Sequence, residues 1–128
     1  MKKEAIHPEG LTRRLTYSHV VKVGNTLHIA GQVARDENGN VVGAGDFRTQ
    51  IEKVFENLQI ALKSAGASLG DVVSTTTYLT NMAYIPIWRE VTEKYYGTET
   101  PPTSTVLIIS SLASADFLLE IQAIAVVE

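Results

Sequence analysis

The sequence predicts a single α+β domain, covering residues 1–128, in which one β-sheet carries two helices. The length is about that of one domain. Segments of β-branched and alternating character lie before, between and after two segments of helical periodicity, which gives the predicted order β-β-(β)-α-β-α-β-β. Hydrophobic residues make up 45% of the chain and charged residues 20%, the ordinary composition of a folded globular protein.

The first two strands are predicted to form a hairpin. Residues 18–23 and 26–33 are rich in residues that favour strands, and the Gly-Asn pair at 24–25 accepts the positive φ of a tight turn. Residues 41–42, two valines between turn-forming segments, are a candidate third strand.

The longest helix is predicted to begin after Asp46, a residue type that is common at the N-cap. Lys63 and Gly66 are typical of a helix C-terminus. Apolar residues between them recur every three or four positions, which places them on one helical face. They are Phe47, Ile51, Val54, Phe55, Leu58, Ala61, Leu62 and Ala65.

The second half of the chain predicts three further strands and one helix. Residues 72–79 are mostly β-branched and favour a strand. Pro86 is suited to the first turn of a helix, which Gly97 would end. Residues 104–109 and 118–127 are predicted as the closing strands.

The last predicted strand indicates a sheet that is largely apolar on both faces, because its residues alternate between the two faces and most are apolar on each. Two helices can cover only one face. The other is therefore expected to be covered by a second copy of the chain, with Glu120 and Gln122 as polar residues at that interface.

Composition excludes several kinds of site and partner. Cysteine is absent, which excludes disulfides, thiolate zinc sites, cysteine nucleophiles and iron–sulfur clusters. The histidines, His7, His19 and His28, are not spaced as metal ligands, so no metal and no cofactor is expected. Eleven Lys+Arg against fourteen Asp+Glu leave a net charge of −3, which offers no surface for a nucleic-acid backbone.

The chain is expected to be cytoplasmic, without a membrane partner. Its opening residues are charged and are not followed by the apolar stretch of a signal peptide. No apolar run approaches the ~20 residues of a membrane span.

The residues by themselves leave the chemistry open. Glu120 stands among apolar residues on a strand, and a buried glutamate is rare unless it is paired or functional. A hydrogen-bonded structural role for Glu120 is an equal alternative. Tyr17, before the first strand, is interpreted as a residue packed at the edge of the core.

Eight segments spread over nearly the whole chain carry a shared set of motifs. They are Tyr17–Leu27, Ala30–Val33, Gln50–Ala67, Asp71–Val73, Tyr78–Met82, Tyr95–Gly97, Pro101–Pro102 and Glu120–Val126. Together they resemble the reactive intermediate deaminase family, also called Rid or YjgF and, in older usage, endoribonuclease L-PSP. The final motif is specific to that family.

The resemblance implies a fold like that of chorismate mutase: a mixed six-stranded sheet with two helices on one face, assembled as a trimeric barrel. It also implies clefts between subunits that bind a small-molecule metabolite. The activity that it implies is hydrolysis of imines and enamines, such as 2-aminoacrylate, to a 2-keto acid and ammonia. In that chemistry an arginine binds the substrate carboxylate and a glutamate activates water.

Four residues are carried over to the site by the resemblance. Tyr17 and Glu120 match the family tyrosine and glutamate, with Glu120 as the catalytic residue. Gly31 is retained. Ala30 stands where the family has serine, and like Tyr17 and Gly31 it is expected to contact substrate.

The family arginine has no counterpart. Its place falls on Thr103 or Ser104, two further candidate substrate-binding residues, and neither carries a charge. Arg89 is the candidate replacement for the missing cation. The alternative interpretation of Arg89 is a surface residue paired with Glu93, four positions along its helix.

These observations predict a homotrimeric hydrolase that releases ammonia from an imine or enamine other than simple 2-aminoacrylate. The first alternative is a family member that binds a small metabolite without turnover. Ribonuclease activity ranks last, because the net charge is negative.

Overall fold

A computed structural model describes residues 1–97 and 100–128 of the chain. The strands of its sheet are β1 (Lys3–Ile6), β2 (Val20–Val23), β3 (Thr26–Gln32), β4 (Val72–Leu79), β5 (Thr103–Ile108) and β6 (Leu119–Val126), and the α-helices are α1 (Phe47–Ser64) and α2 (Ile85–Tyr96). Both helices contribute buried residues to one core with the sheet. The predicted α+β class, with a mixed six-stranded sheet and two helices, is confirmed.

The sheet has the order β1-β2-β3-β6-β4-β5. β5 runs parallel to β4, and the other neighbouring strands are antiparallel. β6, the last strand in the sequence, therefore lies in the middle of the sheet between β3 and β4.

Helix α1 has the boundaries and the buried face that its sequence predicts. The Thr49 backbone N–H donates to the Asp46 carboxylate at 3.2 Å, which caps the first turn. Gly66 follows the helix with a φ of +75°, a conformation that glycine adopts without strain. The apolar stripe is buried against the sheet.

One predicted strand was assigned to the wrong residues. Residues 41–42 do not form a strand of the sheet, since Val41 only makes an isolated bridge with Arg35. The additional strand is β1, whose charged and exposed residues pair with β2 at the sheet edge. The predicted hairpin of β2 and β3 is confirmed, and Gly24 at its turn has a φ of +59°.

The two faces of β6 have different surroundings. Leu119, Ile121, Ala123 and Ala125 are buried in the core beneath the helices. The residues between them lie on the opposite face, which the helices leave uncovered and which we call the open face. It comprises Glu120, Gln122, Ile124 and Val126 of β6 with His28, Thr76, Tyr78 and Leu107 of the paired strands. His28 is exposed there.

Within residues 1–97 and 100–128, no helix combines the length and the apolar character needed to cross a bilayer.

Candidate functional site

Glu120 lines a cavity of about 320 Å³, which we call the Glu120 cavity. This volume lies at the lower end of the range for small-molecule sites. The cavity brings together four of the residues expected at the site with two arginines from the loops on either side of β2 and β3. Its lining is Arg14, Tyr17, Ala30, Gly31, Val33, Arg35, Ala113, Phe117 and Glu120.

The Glu120 side chain lies directly against Gly31. The pairing of β3 with β6 is interrupted between Ile29 and Gln32, and Gly31 sits in this irregular segment. A Cβ atom at position 31 would lie 2.7 Å from Cγ of Glu120 and nearer still to its carboxylate. The absence of a side chain at position 31 therefore makes room for the Glu120 carboxylate.

Burial raises the pKa of Glu120 above the ordinary value of 4.5. No lysine or arginine of the described residues forms an ion pair with Glu120, and burial is the cause of the raised pKa. The carboxyl group is thus half-buried and unpaired, and it keeps its proton to a higher pH than an exposed glutamate does. These are the properties of a group that takes up and releases a proton in a reaction.

Replacing Gly31 with alanine is expected to displace the Glu120 carboxylate toward solvent and to lower its pKa toward 4.5. The loss of stability should be small, because the end of a flexible side chain can move and φ at Gly31 is not positive. An NMR pH titration of the Glu120 carboxyl carbon measures the shift. Gly70→Ala, at another glycine without positive φ, is the matched control. An unchanged Glu120 pKa in Gly31→Ala would contradict the prediction.

A buried hydrogen-bond chain positions the Tyr17 side of the cavity. Nε2 of Gln32 lies 3.2 Å from Nδ1 of His19, and Nε2 of His19 lies 2.7 Å from the Thr12 carbonyl oxygen. With Nε2 of His19 protonated, the histidine accepts from Gln32 and donates to Thr12. The Tyr17 ring packs edge-on against the His19 ring, with 5.6 Å between centroids. The loop that carries Tyr17 is thereby tied to the end of β3.

The two arginines of the Glu120 cavity were not predicted from the sequence. Arg14 is exposed and Arg35 is half-buried. The Arg35 guanidinium carbon lies 5.1 Å from the centre of the Phe117 ring, a cation–π contact. They belong to no motif, and the only signal in the sequence was an arginine shortly before Tyr17 and another shortly after β3.

The remaining predicted residues do not join Glu120 within one subunit. Arg89 and Ser104 line a separate cavity of about 360 Å³ between α2 and β5, which we call the α2–β5 cavity. Thr103 is exposed, and its hydroxyl donates to the Val73 carbonyl oxygen at 3.2 Å. Arg89 forms no ion pair with Glu93, although both residues line the α2–β5 cavity.

Among the described residues, no group of three or more His, Asp or Glu side chains is placed to hold a metal ion. The cavity residues that could recognise a ligand by charge are the arginines and Glu120.

Similarity to known proteins extends over nearly the whole chain. The family model described as endoribonuclease L-PSP matches residues 9–127. A RutC family protein of Pyrococcus abyssi is 37% identical over 126 residues, which are 98% of each chain. The 3-aminoacrylate deaminase RutC of Acinetobacter baylyi is 34% identical over 98% of each chain. The crystal structure of RidA from the Antarctic bacterium Psychrobacter is 31% identical, with a TM-score of 0.88 over 97% of this chain and 99% of that one. The chain therefore belongs to the endoribonuclease L-PSP family, the proteins also called reactive intermediate deaminases, Rid or YjgF.

Proposed function

We propose that the protein is a cytoplasmic, homotrimeric hydrolase that releases ammonia from an imine or enamine of a small metabolite, bound in clefts between subunits. The observation that carries the proposal is the unpaired Glu120 carboxyl group, whose pKa burial raises, in a cavity of small-molecule size. The 34% identical relative that deaminates 3-aminoacrylate supports the same class of reaction.

The reaction assigns Glu120 two rounds of proton transfer between oxygen and nitrogen. In the first, its carboxylate accepts a proton as a water molecule adds to the carbon of the C=N bond, and the carboxyl group returns that proton to nitrogen, which gives a tetrahedral carbinolamine. In the second, the carboxylate takes the proton of the carbinolamine hydroxyl and passes it to nitrogen, so that the C–N bond breaks as the carbonyl forms and ammonia leaves. One imine and one water thus give one carbonyl compound and one ammonia.

The substrate is proposed to differ from simple 2-aminoacrylate. Neither Thr103 nor Ser104 carries a charge, and both β5 residues lie outside the Glu120 cavity of their own subunit. Hydroxyl donors bind a carboxylate roughly half as strongly as a charged donor does. A carboxylate bound at β5 would therefore be held weakly.

The assay that tests the proposal measures ammonia release from imines generated in the cuvette. An amino-acid oxidase acting on L-alanine supplies 2-iminopropanoate, a serine dehydratase supplies 2-aminoacrylate, and amine oxidation supplies a neutral imine. Release above the uncatalysed rate for at least one of them is expected. Binding of the matching carbonyl products without accelerated release would favour the metabolite-binding alternative and overturn the hydrolase.

The open face supports the trimeric assembly. Leu107 and Val126 are each 44% exposed on it, and Ile124 is half-buried beside them. Apolar side chains on an uncovered sheet face favour burial against another subunit. Glu120 lies on the same face, so assembly there would place a neighbouring subunit beside the Glu120 cavity.

Sedimentation equilibrium at micromolar concentration is expected to give three times the chain mass. Ile124→Asp should shift the protein toward monomer, because an unpaired carboxylate would be buried at the interface. Gln59→Asp, on the exposed side of α1, is the control and should leave the mass unchanged. A wild-type protein that sediments as a monomer would exclude the trimer and with it the intersubunit cleft.

A further inference from the structure

We propose that Arg35, assisted by Arg14, binds the carboxylate of the ligand in the Glu120 cavity. The inference rests on the proposed function, because the ligand in question is the imine or its keto-acid product. It places carboxylate recognition in the loop that follows β3 instead of on β5, so that the substrate, although proposed to differ from 2-aminoacrylate, is an imino acid, for whose keto-acid product pyruvate is the smallest probe.

The backbone of Arg35 is firmly held. Its carbonyl oxygen accepts a hydrogen bond of 2.8 Å from Nδ2 of Asn57, a buried residue of α1 that also donates to the Val33 carbonyl oxygen. Arg35 in turn forms the bridge with Val41 across the loop. A guanidinium on such an anchored backbone loses less conformational freedom when it binds a ligand.

The side chain of Arg35 is held in position by packing, but its hydrogen-bond donors are not all used. Its guanidinium packs on the ring of Phe117, which also lines the cavity. Its Nε–H is buried without a hydrogen-bond partner among the described residues. The Nη groups of Arg35 are not among the buried polar atoms, and a ligand carboxylate in the cavity would accept hydrogen bonds from them.

The Arg35 guanidinium does not pair with the Glu120 carboxylate. Arg35 and Glu120 line the same cavity, but they form no ion pair. Burial raises the pKa of Glu120, whereas a guanidinium in contact would lower it. The cavity thus offers the Arg35 guanidinium to a ligand anion. The Glu120 carboxyl group remains available for proton transfer.

This arrangement predicts a preference for ligands with a carboxylate over neutral ligands of the same shape. Pyruvate and its uncharged methyl ester share the ketone and differ in that charge. Their affinities for the full-length protein are measured by protein-observed NMR titration, and turnover is not involved. The wild type is expected to bind pyruvate more tightly than methyl pyruvate.

Arg35→Gln is expected to weaken pyruvate binding on the order of 30-fold and to leave methyl pyruvate binding within about twofold. Arg13→Gln removes the same charge from an exposed residue that does not line the cavity and should change neither affinity. Arg35→Lys, which keeps the charge but loses the fork, should weaken pyruvate binding several-fold. If Arg35→Gln does not fold, the lysine variant decides the question.

Four outcomes would overturn the inference. Three are equal affinity of the wild type for the two probes, unchanged pyruvate binding in folded Arg35→Gln, and unchanged pyruvate binding in the lysine variant. A selective loss of pyruvate binding in Arg89→Gln instead would assign the carboxylate to the α2–β5 cavity and would also overturn it. Failure of the hydrolase proposal is recognised separately, as the absence of ammonia release together with intact, Arg35-dependent pyruvate binding.

Discussion

Glu120→Gln should lower kcat for imine hydrolysis on the order of 10²-fold or more, the usual effect of losing a general base. Glutamine keeps the shape of the side chain beside Gly31 but can neither accept nor return the proton. Binding of the keto-acid product should persist, because the arginines of the cavity are intact. Glu4→Gln on the exposed edge strand β1 is the matched control. Unchanged kcat in Glu120→Gln would leave Glu120 with a structural role only.

The proton-transfer role of Glu120 can also be tested through the pH dependence of activity and of stability. Since the carboxylate form acts first, kcat/KM should rise with pH through the pKa of Glu120, which burial places above 4.5. In the unfolded chain this pKa is lower, so the folded state holds the proton more tightly. The free energy of unfolding should therefore fall as pH rises between the unfolded and folded values, and Glu120→Gln should remove this dependence.

The largest expected effect on stability is at Gln50, a fully buried residue of α1. Its Nε2 donates to the carbonyl oxygens of Gly43 at 3.1 Å and Asp116 at 2.7 Å, and its Oε1 accepts from the Leu118 N–H at 2.9 Å. Gln50→Leu leaves all three backbone groups without this partner. At ~1–2 kcal/mol for each, the free energy of unfolding should fall by about 3–6 kcal/mol.

Urea unfolding measures the change at Gln50, with Gln59→Leu as the control on the exposed side of the same helix. A loss below about 1 kcal/mol would show that water or local rearrangement replaces the buried bonds. The effect also concerns the candidate site, because Gln50 hydrogen-bonds the backbone of Asp116 and Leu118, and Glu120 stands two residues after Leu118, on β6.

The fold was predictable where local patterns carry it. The period of the apolar residues and the Asp46 cap determine α1, and the Gly24 turn determines the hairpin of β2 and β3. β1 was missed because its four residues have no apolar alternation; they form a strand because β2 offers an edge to pair with. The position of β6 between β3 and β4 depends on contacts between segments far apart in the sequence, which local patterns do not report.

The candidate site was predictable only in part. Tyr17, Gly31 and Glu120 were found through the family resemblance, and the structure brings them together in one cavity. Arg14 and Arg35 lie in loops, where no periodicity marks a side chain as facing a cavity. Their proximity to Glu120 is a consequence of the folded sheet.

The central place of β6 has a consequence for how the chain is made. Thr26 pairs with Val126, about a hundred residues later, and such distant pairings slow folding. During synthesis on the ribosome, β3 and β4 would each present an unpaired edge until β6 emerges, which exposes the nascent chain to aggregation. Because Glu120 arrives on that same strand, its carboxylate enters the cavity only in the step that completes the sheet.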